Sequence, residues 1–86
     1  MIKHKKQAEN YGKWLKRFLK THRITASSLS LQTKFHHNVI RNWIRGRNLA
    51  SGYSMAVVAT VLSSKTGIPR PELLNDMVKA MLEESV

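Results

Sequence analysis

The chain has 86 residues, 42% of them apolar, which is enough for one modest hydrophobic core and leaves no room for a second domain. It contains no cysteine, which excludes disulfides, thiolate zinc sites and cysteine nucleophiles and is compatible with a reducing cytoplasm. The formal net charge is +10, but residues 1–71 carry 14 Lys/Arg against one acid, whereas residues 72–86 have a net charge of −3. Positive charge concentrated in this way is typical of a polyanion-binding protein. The alternative is a solubilising surface, although such surfaces usually mix the two signs more evenly.

The apolar pattern predicts an all-α fold with five helices. Residues 1–10 are basic and lead into no apolar run, so we expect an N-terminal tail there rather than a secretory signal or a membrane span. The first helix is predicted over residues 11–22, with lysines on one face. The other face carries apolar residues at helical spacing: Trp14, Leu15, Phe18 and Leu19.

The next three helices are short. The second is predicted over residues 26–33, with Thr25 as its N-cap. The third covers residues 37–45 and ends at Gly46, a residue type favoured just after a helix. The fourth lies within residues 54–64, where the alternative of a buried strand is less consistent with its length and its helical neighbours.

The fifth helix starts near Pro71, after a connection punctuated by Gly67 and Pro69. Its apolar stripe extends over three turns, further than a domain of this size should need to cover its core. We therefore predict a two-fold dimer contact, with simple core cover as the alternative. The residues assigned to this contact are Leu74, Met77, Val78, Met81 and Leu82.

The third helix is strongly amphipathic. At about 100° per residue, one side carries the polar residues His37, Asn38, Arg41, Asn42 and Arg45. The opposite side carries Val39, Ile40, Trp43 and Ile44, which we expect to be buried. Arginine pairs with the edge of guanine and asparagine with that of adenine, so the polar side is suited to reading bases in a DNA groove.

The segment "ITASSLSLQTKFHHNVIRNWIRGRN" combines a short helix, a tight turn and an amphipathic helix. It resembles the Cro/lambda-repressor-like helix-turn-helix family, with Thr25 at the cap, Leu29 and Ser30 at the family's Leu-small pair, and "WIRGR" at its closing motif. The later "TGIPRPELLNDM" is similar to the tail of small Cro-like regulators of the YdaS type. The resemblance covers about residues 11–77. It departs from the family at Lys34, where a turn glycine is usual, and at His36, where Ser or Thr is usual.

The resemblance implies a lambda-repressor-like domain with a helix-turn-helix core at residues 11–70 and a C-terminal amphipathic helix at residues 71–86. Base contacts are expected from His37, Asn38, Arg41 and Asn42. Phosphate contacts are expected from Thr25, Ala26 through its backbone N–H, Lys34, His36, Arg45, Arg47 and Asn48.

By the same resemblance, the chain is expected to be a transcriptional repressor of a prophage or mobile element, cytoplasmic and bound to the nucleoid. A homodimer would place its third helices in the major grooves of a palindromic operator. No membrane, cofactor or small-molecule ligand is expected. An enzyme is not expected either, because the acids are few and no serine is set beside a base.

Other readings remain open. The C-terminal helix could dock a partner protein, as in an antitoxin, and the basic charge could serve a structured RNA or, through the first helix, an anionic membrane. His36 and His37 could bind a metal, but adjacent helical residues diverge and no third ligand has suitable spacing. Trp43 could stack on bases, although its place on the apolar side favours the core.

Overall fold

Five α-helices and no strand make up residues 2–83, the part of the chain that the computed structural model describes, with side chains for residues 5–83. The predicted all-α class is confirmed. The helices are α1 Ile2–Thr21, α2 Ala26–Thr33, α3 His37–Ile44, α4 Gly52–Thr66 and α5 Arg70–Leu82.

Helix α1 is longer than the sequence pattern predicts. The expected tail at residues 1–10 is wrong for residues 2–10, which form the first half of α1, while Met1 lies outside the described residues. The reason is the buried stripe of α1, which begins at Ala8 and continues through Tyr11 and Leu15 to Leu19. These positions repeat at three- and four-residue intervals, so the buried face of the helix extends back to Ala8, one turn before Tyr11.

The N-terminal half of α1 is also tied to the end of α5. The side-chain amide of Asn10 donates hydrogen bonds to the carbonyl of Glu83 at 2.7 Å and to that of Met81 at 3.4 Å. The last carbonyls of a helix have no partner inside it, and Asn10 satisfies two of them. Residues at opposite ends of the sequence thereby hold α1 and α5 together.

The helices pack around one core. Helix α1 contacts α3 and α5, α4 contacts α2 and α5, and α2 contacts α3. The largest side chains without exposed surface come from all five helices: Tyr11, Leu15, Leu29, Ile40, Val58, Leu62, Leu73 and Met77. Helices α2 and α3 are thus attached to the core by few side chains, and their remaining faces are open to solvent.

Helices α1 and α3 meet at a glycine. A Cβ atom on Gly12 would lie 2.7 Å from the carbonyl oxygen of Ile44 and closer still to that of Trp43. Only a residue without a side chain lets the two backbones approach this far. Gly12 therefore sets the distance between α1 and the C-terminal end of α3.

Tyr11 supplies a test of the core. Its hydroxyl is buried and forms no hydrogen bond with any described residue, and burial raises the pKa of this hydroxyl above its ordinary value near 10. We expect Tyr11→Phe to increase the free energy of unfolding by about 1 kcal/mol at neutral pH, because a buried group without a partner is removed. Urea unfolding at pH 7 measures this.

The same substitution carries a pH signature. With a raised folded-state pKa, the folded chain keeps the Tyr11 proton at a pH where the unfolded chain loses it, so the wild type is destabilised above about pH 10. The stability advantage of Tyr11→Phe should therefore grow as the pH rises past 10. A variant less stable than the wild type at neutral pH would mean that the hydroxyl has a partner after all.

Candidate nucleic-acid interface

Helix α2 is capped at both ends by residues that the sequence singled out. The Thr25 hydroxyl accepts a hydrogen bond from the backbone N–H of Ser28 at 3.0 Å, so the predicted N-cap is confirmed. At the other end Lys34 adopts the left-handed conformation, with φ 68°, and its N–H donates to the carbonyl of Ser30 at 2.8 Å. Lys34 therefore reproduces the backbone geometry for which a glycine is usual, at some steric cost.

The turn between α2 and α3 is held by hydroxyl groups. The Ser30 hydroxyl donates to the carbonyl of Phe35 at 2.6 Å, and the Thr33 hydroxyl accepts from the N–H of Phe35 at 3.3 Å. The Phe35 ring meets Trp43 edge to face, with centroids 5.4 Å apart. Both the backbone and the side chain of Phe35 thus fix the direction in which α3 leaves the turn.

His36 caps α3, as its position predicts. Its Nδ1 accepts a hydrogen bond from the backbone N–H of Asn38 at 3.1 Å, which requires the tautomer protonated at Nε2. The rings of His36 and His37 stack with centroids 4.4 Å apart, and both side chains are exposed. Within the described residues, no three His, Cys, Asp or Glu side chains lie together as metal ligands, so the two histidines have no third ligand beside them.

The buried side of α3 is narrower than the sequence predicts. Ile40 and Trp43 are buried and Ile44 is half-buried, but Val39 is 39% exposed, so its predicted burial is wrong. Val39 and Ile44 lie about 70° either side of the middle of the apolar sector, where contact with α1 and α2 is incomplete. Val39 consequently borders the polar side, next to Asn42.

The polar side of α3 is open to solvent. His37, Asn38, Arg41 and Arg45 are exposed, whereas Asn42 is half-buried. No acidic residue occurs anywhere between residues 10 and 71, so no carboxylate in α2, the turn or α3 offsets these arginines. The structure therefore brings together the residues assigned to base reading, with Asn42 the least accessible of them.

The backbone reverses after α3 at a glycine. The N–H of Gly46 donates to the carbonyl of Trp43 at 3.0 Å, and the N–H of Arg47 donates to that of Asn42 at 2.9 Å. Gly46 has φ +75°, a region that side-chain-bearing residues rarely adopt. Arg45, Arg47 and the adjacent Asn48 are all exposed, so three of the seven residues predicted to contact phosphate lie together here.

A groove beside this reversal contains a residue that the sequence reading missed. It is open, has a volume of about 720 Å³, and lies between the first turns of α1 and residues 45–49. Its polar lining consists of Lys5, Glu9, Arg45, Arg47 and Asn48. The basic composition of residues 1–10 predicts a tail for Lys5, whereas the apolar spacing from Ala8 to Tyr11 and Leu15 is the sequence signal that indicates a helix there.

The predicted dimer stripe on α5 divides into buried and exposed parts. Met77 is fully buried, so its assignment to a dimer contact is wrong: it packs against the monomer core, like Leu73 one turn earlier. Leu74 and Met81 are half-buried against the core. Val78 and Leu82, at 45% and 65% exposure, are the members that a partner could cover.

Among the described residues, no helix has both the length and the apolar character that crossing a membrane requires. Comparisons of the chain with protein-family models, with curated proteins and with solved structures gave no match.

Proposed function

We propose that this chain is a lambda-repressor-like helix-turn-helix protein that binds specific double-stranded DNA and represses transcription as a homodimer. The observation that carries the proposal is the polar side of α3. It is exposed, rich in arginine and asparagine, and opposite a side anchored by Ile40 and Trp43. An α-helix of this width fits the major groove, where base edges are fully distinguishable.

In this proposal the residues divide by role. Arg41 and Asn38 read base edges, with His37 beside them at the helix start and Asn42 as a partial contributor. The N-terminus of α2 contributes the backbone N–H of Ala26 and the hydroxyl of Thr25 to a phosphate. The DNA backbone on either side of the groove is held by two sets of residues. Lys34 and His36 contact it from the turn, and Arg45, Arg47 and Asn48 contact it after α3. Two α3 helices about 34–36 Å apart would then read the two halves of a palindrome.

The experiment that tests the proposal is selection from a random duplex library with the purified chain. We expect an inverted repeat whose half-sites are one helical turn apart, about 10 base pairs, or a multiple of that. Structured RNA is included as a competitor, because an A-form major groove does not admit a recognition helix. Enrichment of RNA in preference to any duplex would refute the proposal.

The dimer has its own prediction. Val78→Glu combined with Leu82→Glu should yield folded monomers, because both side chains are exposed and their loss costs the monomer core little. Their melting temperature should fall only by the contribution of dimerisation and should no longer depend on protein concentration. Sedimentation velocity measures the oligomeric state.

Leu31→Glu is the matched control, since Leu31 is 79% exposed on α2 and lies outside the proposed contact. A double variant that still sediments as a dimer places the interface elsewhere. If the wild type sediments as a monomer, Val78 and Leu82 do not contact a second copy of the chain. That result favours the alternative in which α5 docks a different protein, as in an antitoxin.

A further inference from the structure

We propose that the groove between α1 and residues 45–49 binds a backbone phosphate of the DNA that flanks each half-site, with Lys5 as the residue that extends the contact. The inference rests on the proposed function, because it locates a phosphodiester relative to α3. It adds a contact from the N-terminal turns of α1, which are outside the helix-turn-helix segment.

Lys5 is held in place by the fold of its helix. Ala8, one turn further along α1, is only 3% exposed and attaches this end of the helix to the core. The backbones come together at Gly46, where a Cβ atom would lie 3.0 Å from Cα of Glu9. Lys5 is therefore carried on a fixed helix that lies against the loop bearing Arg45 and Arg47.

The charge of the groove suits one phosphodiester. Three cations, Lys5, Arg45 and Arg47, line it together with one carboxylate, that of Glu9. Arginine presents a planar fork that pairs with two phosphate oxygens, and lysine adds a compact point charge. The stem of Glu9 covers Gly46, with its Cγ 3.1 Å from the position of a Cβ there. The carboxylate of Glu9 is the negative charge in the lining of the groove, and it opposes the binding of a phosphate.

The position of the groove specifies which phosphate it would hold. Helix α3 has eight residues and is about 12 Å long, so it covers a few base pairs of one major groove. Arg45 and Arg47 follow its C-terminal end, where the helix leaves the base edges. A phosphate bound between them and Lys5 would therefore lie just outside the bases that α3 reads.

The test varies the DNA beside a constant operator selected from the random library. Wild-type affinity is expected to increase when a few flanking base pairs are added, because the added backbone supplies the phosphate. Lys5→Ala should lose that increase, about three- to tenfold in affinity, and should lower the salt dependence of binding by about one phosphate contact per protomer.

Lys16→Ala is the matched control for charge. Lys16 is exposed on the same side of α1 but lies about 16 Å further along the helix axis. The Lys16→Ala variant should keep the full gain in affinity that the flanking base pairs provide. Glu9→Gln should strengthen the flank effect, whereas Glu72→Gln, which removes an exposed acid on α5, should leave it unchanged.

The outcomes separate the two proposals. If the wild type binds its operator but Lys5→Ala keeps the flank gain, or Lys16→Ala loses as much, the groove inference is overturned and the proposed function stands. If the wild type prefers no duplex, both fail. Inorganic phosphate should compete with the backbone phosphate and reduce the flank gain at constant ionic strength. A wild type that shows no flank gain on its operator, yet binds inorganic phosphate through Lys5 in the absence of DNA, would overturn the assignment to the DNA backbone.

Discussion

Gly12→Ala is expected to destabilise the folded chain by about 3 kcal/mol or more. In the interior of a helix this change normally stabilises by up to about 1 kcal/mol, because alanine has the higher helix propensity. Here the added methyl group would meet the carbonyl oxygens of Trp43 and Ile44. Both obstacles are backbone atoms and cannot rotate away, so α1 and α3 must separate and the packing between them is lost.

Urea unfolding of the variant and the wild type measures this effect. Gly52→Ala is the control, because a Cβ atom at Gly52, in the first turn of α4, would meet nothing within 4 Å. It should be as stable as the wild type or slightly more so. A Gly12→Ala protein with wild-type stability would show that α1 and α3 lie further apart than described. The separation should also displace α3, so weaker operator binding is expected to accompany the loss of stability.

The second large effect is expected at the polar side of α3. Arg41→Ala and Asn38→Ala should each weaken binding to the selected operator by roughly 1–3 kcal/mol, and each should relax the preference for one base pair. Both side chains are exposed, so their removal should leave the melting temperature close to that of the wild type. Titrations of the operator and of duplexes with single base-pair changes measure both quantities.

Arg17→Ala provides the comparison for Arg41→Ala, because it removes an equal charge from an exposed position on α1. It should weaken binding slightly and equally on all duplexes. If Arg41→Ala behaves in the same way, Arg41 contacts phosphate and the base-reading role belongs to other residues. A loss confined to the operator supports direct readout in the major groove.

Lys34 and His36, where the sequence departs from the helix-turn-helix pattern that it resembles, are both compatible with a tight turn. Lys34 takes up the left-handed backbone conformation that a glycine would adopt more easily, and His36 supplies a ring nitrogen where a hydroxyl is usual. Each forms the local hydrogen bond that its position requires. The segment between α2 and α3 can therefore be interpreted from neighbouring residues alone.

Other features of the sequence were equally informative because they are local. Helical spacing predicted five helices, and Thr25 and Gly46 marked where α2 begins and where α3 ends. The division of charge along the chain and the polar side of α3 are likewise properties of neighbouring residues. Hydrogen bonds and side-chain contacts three or four residues apart decide such features, so they can be read without knowing the fold.

Several features of the site depend on contacts between distant residues. Residues 2–10 are helical because Ala8 and Tyr11 find a core to pack against, and this places Lys5 beside Arg45 and Arg47. Met77 is buried and Val78 exposed, although both belong to one apolar stripe, because the neighbouring helices cover only part of α5. Periodicity shows which face of a helix is apolar, but the width of the buried strip is set by the helices that cross it. The sequence by itself therefore determined the helices and the charge of the candidate DNA-binding surface, and the tertiary structure alone decided where that surface ends.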